Sequence, residues 1–223
     1  TMKKITYTLL SILLVLITLS CSSDSGSSSD SGSTPPNSPE TPTDGKGGSL
    51  ATFALKGNYL YTVDYGKLNV FNIQNNENPV KVNTVQIGFN IETLYSMNNF
   101  LFVGSRSAMY IYDVTNPENP TLLSESNHFS ACDPVVANET HAFVTLHSNT
   151  NCGNNLNTLM VYDIADPNNP VLVHQRGLTF PRGLAIHENY LIVCDDELKI
   201  FDVTNPVQPI LASSKNYQYK DVV

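Results

Sequence analysis

The chain has 223 residues, with 12 Lys and Arg against 20 Asp and Glu and a net charge of −8. The basic residues are scattered, which argues against nucleic acid as a partner, because phosphate binding needs clustered Lys and Arg. There is no Trp, but 11 Tyr and 9 Phe can supply a core, and 4 Cys leave room for a disulfide if the chain is exported. In chain order, residues 1–21 read first as an export signal. Lys3 and Lys4 give a basic start, and an interrupted apolar run follows from Ile5 to Leu19. That run is shorter than the ~20 apolar residues of a membrane-spanning helix.

The signal ends in "TLSC", which resembles the cleavage site of a bacterial lipoprotein signal. The resemblance implies that Cys21 carries lipid and becomes the mature N-terminus. It also implies an exported protein anchored to a bacterial membrane, with the outer membrane expected. A plain secretion signal with an incidental cysteine is the alternative. Residues 22–48, "SSDSGSSSDSGSTPPNSPETPTDGKGG", contain nothing able to join a core. Ser, Gly, Thr, Pro and Asp cannot offset the entropy of folding, so a disordered tether is expected. The remainder, from Ser49, is long enough for one sizeable core.

That remainder repeats itself. "NYLYTVD" (58–64), "NFLFVGS" (99–105), "THAFVTL" (140–146) and "NYLIVCD" (189–195) align, at spacings of 41, 41 and 49 residues. So do "LNVFNI", "MYIYDV", "LMVYDI" and "LKIFDV". A period of this length marks a repeat architecture. The second unit shows four strand-like segments: "IETLYSM" (91–97), "FLFVGS" (100–105), "AMYIYDV" (108–114) and "TLLSES" (121–126). Each is short, rich in β-branched and aromatic residues, and bounded by turn formers. Four strands per unit predict an all-β fold, a β-propeller of four-stranded antiparallel blades. Blades are expected at about 49–88, 89–129, 130–178 and 179–218, with a further one beginning at 219–223. On that reading the intact protein has at least five blades and the chain is part of it.

One phrase recurs at the end of each third strand: "NIQNNENP" (72–79), "DVTNPENP" (113–120), "DIADPNNP" (163–170) and "DVTNPVQP" (202–209). A phrase written four times is architecture rather than a catalytic motif. Asn72, Asp113, Asp163 and Asp202 are expected to accept hydrogen bonds from N–H groups just downstream. Pro79, Pro120, Pro170 and Pro209 are expected to open an outer strand, where a missing N–H costs least. "VYDIADPNNPVLV" and "IYDVTNPENPTLL" resemble the LVIVD repeat of bacterial secreted and lipoprotein β-propellers. The resemblance implies the propeller and says little about activity.

Function is therefore sought where the copies differ. The starts of the first strands are Ala51, Glu92, Asp133, Arg182 and Asp221, separated by 41, 41, 49 and 39 residues. Innermost strands ring the axis of a propeller, so Glu92, Asp133, Arg182 and Asp221 are expected to form a polar rim, the candidate site for a ligand or partner. A solvated rim whose charges pair with one another is the alternative. The third unit carries an insertion, "HSNTNCGNNLNT" (147–158). Cys132 and Cys152 are either a disulfide that pins this loop beside Asp133, which is expected, or two separate thiols. Cys194 is expected to be a buried free thiol.

His141 and His147 stand six residues apart on one strand, ~20 Å at full extension, so they cannot share an ion, and no spacing resembles a zinc site. No metal or cofactor is expected. No nucleophile-elbow or phosphate-loop motif occurs. The expected role is a membrane-anchored binding or scaffold module for a protein or glycan ligand. An enzyme acting on glycans through Glu92 and Asp133 is one alternative, and a structural subunit of an envelope complex is another.

Overall fold

The computed structural model describes residues 49–128, 134–148 and 156–222. The signal, the tether, Cys21, Cys132, Asp133 and Cys152 lie outside them. Among the described residues there is no helix, so none long and apolar enough to cross a membrane. There are sixteen strands in four antiparallel sheets. Blade 1 comprises β1 (Phe53–Lys56), β2 (Tyr59–Asp64), β3 (Lys67–Asn72) and β4 (Val80–Gln86). Blade 2 comprises β5 (Ile91–Met97), β6 (Phe100–Ser105), β7 (Ala108–Asp113) and β8 (Thr121–Asn127). Blade 3 comprises β9 (Val135–Ala137), β10 (His141–Leu146), β11 (Thr158–Asp163) and β12 (Val171–Gly177). Blade 4 comprises β13 (Leu184–His187), β14 (Tyr190–Cys194), β15 (Leu198–Asp202) and β16 (Ile210–Lys215). Each sheet is a meander in sequence order. This is the all-β propeller architecture expected from the repeat.

The first strands β1, β5, β9 and β13 neighbour one another in turn and are innermost. Leu94 N–H donates to Ala51 O at 2.7 Å, tying blade 2 to the start of blade 1. The packing explains the apolar runs. On β7, Met109 and Ile111 enter a core shared with blades 3 and 4, where Phe143, Val161 and Leu191 lie. The alternate residues Ala108, Tyr110 and Tyr112 enter a second core with Tyr61, Leu68 and Val70 of blade 1. A strand covered on both faces has no reason to alternate apolar with polar. The outer strands are open to water, and β4 has no fully buried residue.

The repeated phrase forms two consecutive turns. The Oδ1 atoms of Asn72, Asp113, Asp163 and Asp202 accept from N–H groups two residues on, Gln74, Thr115, Ala165 and Thr204, at 2.7–2.9 Å. The residue between is gripped too: the N–H groups of Ile73, Val114, Ile164 and Val203 all donate, at 2.8 Å, to the carbonyl just before the second strand. A β-turn follows, with Asn119 N–H on Asn116 O at 3.1 Å and its counterparts in the other blades. The second prolines stand immediately before the outer strands rather than inside them. In blade 2 the phrase also clasps its neighbour. Tyr61 Oη donates to Pro117 O at 2.9 Å, and Tyr59 Oη to Glu118 Oε1 at 3.0 Å.

This geometry predicts a stability effect with no functional one. Asp113→Ala loses the Thr115 hydrogen bonds and should cost about 1 kcal/mol in urea unfolding. The hydroxyl and N–H of Thr115 hold the Asp113 carboxyl below its usual range, and Thr204 does the same for Asp202. Folded-state values below unfolded ones mean stabilisation that is present above the ordinary carboxylate range and lost as pH falls through the lowered values. The gap between wild type and Asp113→Ala should therefore close in acid; a gap independent of pH would show that the turn hydrogen bonds are not its source.

The segment expected to begin a further unit has no strand over 218–222. Instead Gly183 N–H donates to Lys220 O at 2.9 Å, placing the segment beside the start of β13.

Candidate functional site

Because strands alternate in direction, one face of the blades gathers the starts of the inner strands and the second-to-third-strand turns. The sequence places its rim residues on that face. Glu92 opens β5 and is held by Arg106 of the β6–β7 turn, Nε to Oε1 at 2.8 Å. Arg182 precedes β13, and its backbone extends the β13–β14 ladder: its N–H donates to Cys194 O at 2.7 Å. Its carbonyl accepts from Thr145 Oγ1 of blade 3, also at 2.7 Å. Asp221 accepts from Ser49 Oγ at 3.1 Å, and that same Oγ accepts the Leu184 N–H at 2.7 Å. Buried Ser49 thus joins the start of blade 1 to the start of blade 4.

These groups share one electrostatic neighbourhood. His147, at the end of blade 3's second strand, is pushed below its ordinary value by burial, with the Glu92 carboxylate opposing and the Arg182 guanidinium adding. Burial drives the Cys194 thiol up to about 11, with Asp221 adding and Arg182 opposing. Cys194 is a buried free thiol, as the sequence suggests. Glu92, Arg182 and Asp221 therefore lie in one region. Asp133, the remaining member of the expected rim, lies outside the described residues, as do both cysteines of the expected disulfide.

Three contributors escape sequence reasoning. The Phe180 ring lies under the Arg182 guanidinium at 4.9 Å and meets the His147 ring edge-on at 5.7 Å. A planar cation over an aromatic face is attracted by the ring quadrupole. Phe180 is itself fixed from below by Asp195, which is buried. The Asp195 carboxylate accepts the N–H groups of Thr179, at 3.1 Å, and of Phe180. It also receives the Lys199 ammonium at 2.5 Å. Burial alone would lower Lys199, but hydrogen bonds to Asp195 and Asp196 outweigh it and raise the group above its ordinary value. The pattern "CDDELK" (194–199) contains this anchor, but nothing local shows that the first aspartate points inward.

The site offers paired charges of both signs, an imidazole and an aromatic face. No cluster of His, Cys, Asp or Glu among the described residues could hold a metal ion. Such a surface suits recognition of a polar partner.

Comparison with known proteins agrees with the fold. The family described as LVIVD repeat matches residues 47–86, 153–175 and 181–217. Blade 2 falls outside these matches, yet it has the same four-strand meander. A search of curated proteins gives no match. Among solved structures, the Pseudomonas aeruginosa periplasmic gluconolactonase PpgL, a propeller, is similar at 15% identity and a TM-score of 0.59, covering 74% of this chain and 52% of that one. The computationally designed Ika8 protein is similar at 14% identity and a TM-score of 0.55, covering 75% and 49%. The chain thus spans about half the length of these structures, and at such identities the likeness concerns the fold alone. The matches and the blades agree: the three stretches that match the LVIVD repeat fall in blades 1, 3 and 4 of a chain folded as the blades of a β-propeller.

Proposed function

We propose that the protein is a binding module of a bacterial cell envelope, held to a membrane by lipid on Cys21 and engaging a polar partner at the blade rim. The observation that carries the binding role is the half-buried Phe180 ring, which carries Arg182 on its face and meets His147 edge-on, with the Glu92 carboxylate of a third blade acting on the same imidazole. Scaffold-held polar groups on loop ends are the usual place for recognition on a rigid fold. The anchor is supported by the sequence of residues 1–48: an export-type segment, a cysteine, and a tether that would hold the blades away from the bilayer.

The test uses the full-length protein in its bacterial host. The wild type should fractionate with membranes and Cys21→Ser should not; a wild type found in the soluble fraction sinks the anchor. Envelope components cross-linked to the wild type should be lost at least about tenfold in Arg182→Ala and Glu92→Gln, the size of effect that one desolvated charged contact gives. The same components on all three proteins would overturn the rim as the binding surface.

A further inference from the structure

A second place on the same face stands apart from the rim charges. The β2–β3 turn, Tyr65 and Gly66, lies against the connection from β4 to β5, residues 87–90, and the two border an open cavity of about 320 Å³. Its walls include Tyr65, Phe89, Asp64, Lys67, Gln86 and Asn90. Tyr65 is 87% exposed and Phe89 83%. Single exposed apolar residues are ordinary, whereas here two exposed aromatic side chains border one cavity rimmed by polar groups.

The backbone here is both strained and clamped. Tyr65 has φ 43° and Asn90 has φ 55°. A bulky residue in the left-handed region is an outlier, and it pays a steric cost that glycine would avoid. Tyr65 gains no burial in return. Blades 2 and 4 put Arg106 and Asp196 at the matching turn position, so an aromatic is not what the turn itself requires. The loop cannot relax, because Tyr65 O accepts the Ile91 N–H at 3.0 Å, and Gly66 O accepts the Ile87 N–H at 2.8 Å and Gln86 Nε2 at 3.0 Å. Strain held in place by its surroundings is a feature of ligand-binding positions.

We infer that this cavity binds a neutral pyranose unit of a glycan, with the Tyr65 and Phe89 rings as its stacking faces. The volume lies at the small end of ligand pockets. Asp64 and Lys67 line it with opposite charges, which favours a ligand without net charge. Two side-chain amides, a carboxylate and an ammonium together offer both donors and acceptors. Sugar hydroxyls both donate and accept, while the C–H face of the ring is apolar and meets the electron-rich aromatic face. The inference gives the binding-module reading a chemical class of ligand and uses residues other than the rim set.

The experiment presents full-length protein to immobilised neutral di- to tetrasaccharides of the cello, chito, malto and manno series. At least one series should be retained by the wild type, and Tyr65→Ala and Phe89→Ala should each weaken it about tenfold. Tyr65→Phe should restore retention. Tyr65→Gly should abolish it while its Tm equals or exceeds that of wild type, which separates loss of the ring from loss of the fold. Retention of no series by the wild type overturns the inference, as does equal retention by the alanine variants. Glycan retention lost in Glu92→Gln and Arg182→Ala but intact in Tyr65→Ala would move the sugar to the rim, overturning this inference while leaving the rim reading standing.

Discussion

Asp195→Ala should destabilise the protein by about 3 kcal/mol, the largest loss expected from any one polar side chain on the rim face. The side chain is fully buried, and it serves two backbone N–H groups and one ammonium at once. Removing it leaves the N–H groups of Thr179 and Phe180 without their acceptor in a half-buried link. It also strips Lys199, whose side chain is only 14% exposed, of its closer partner while keeping Asp196. Asp195→Asn keeps an acceptor but loses the charge and should cost roughly half as much, about 1.5 kcal/mol. The measurement is urea unfolding of both variants beside wild type. An Asp195→Ala loss below that of Asp113→Ala would refute the anchor, because a partly exposed turn aspartate would then matter more than a buried one. The consequence reaches function. Phe180 is positioned by Asp195 and carries Arg182 on its face, so the variant should also weaken any partner bound through Arg182.

Much of the fold was legible in the sequence, and the reason is repetition. Each strand of blade 2 falls where its segment predicts, because the same apolar runs and turn residues recur at a fixed period. The Asx turns of Asp113, Asp163 and Asp202 were legible because the interaction is local, reaching only two residues ahead. The rim was partly legible for the same reason: Glu92, Arg182 and Asp221 sit at one phase of the repeat, and the fold brings equal phases to one face. What escaped is what repetition does not carry. His147 is 35 residues from Arg182 in sequence and joins it only because blades 3 and 4 are neighbours. The sequence offered His147 only as a metal ligand, set aside on its distance from His141; its relevance lies in the Phe180 ring. Asp195 occupies the position of Asp64 and Ser105 in other blades, and its inward turn depends on the link ahead of β13. Tyr65 looks like any turn residue until its φ and exposure are known together. Positions unique to one blade carry the candidate chemistry, and a single sequence gives little warning of them.

Gly66→Ala should be the second large effect, about 2–3 kcal/mol, with Gly57→Ala as its control. The two glycines differ in what surrounds them. Gly57 has φ 53° and open space around the position of a Cβ, so alanine there pays only for its left-handed backbone, about 1 kcal/mol. A Cβ on Gly66 would stand 2.1 Å from Gly88 O, a backbone atom that cannot swing aside as a side chain would. Gly88 cannot retreat freely either, since a Cβ on it would already press the Tyr110 hydroxyl at 2.7 Å. The turn and the 87–90 connection must therefore part, breaking the hydrogen bonds from Ile87 and Gln86 to Gly66 O. Those are the bonds that hold the turn bearing Tyr65 against the connection bearing Phe89. Gly66→Ala should thus lose oligosaccharide retention as fully as Tyr65→Ala, though both aromatic rings are still present, while Gly57→Ala, in the β1–β2 turn at the opposite end of the blade, should retain it at normal strength. Equal unfolding costs for the two glycine variants would show that the turn and the connection are not clamped as described. Full retention by Gly66→Ala would show that the cavity does not depend on the clamp, and that the rings act without the geometry that now sets both on one cavity.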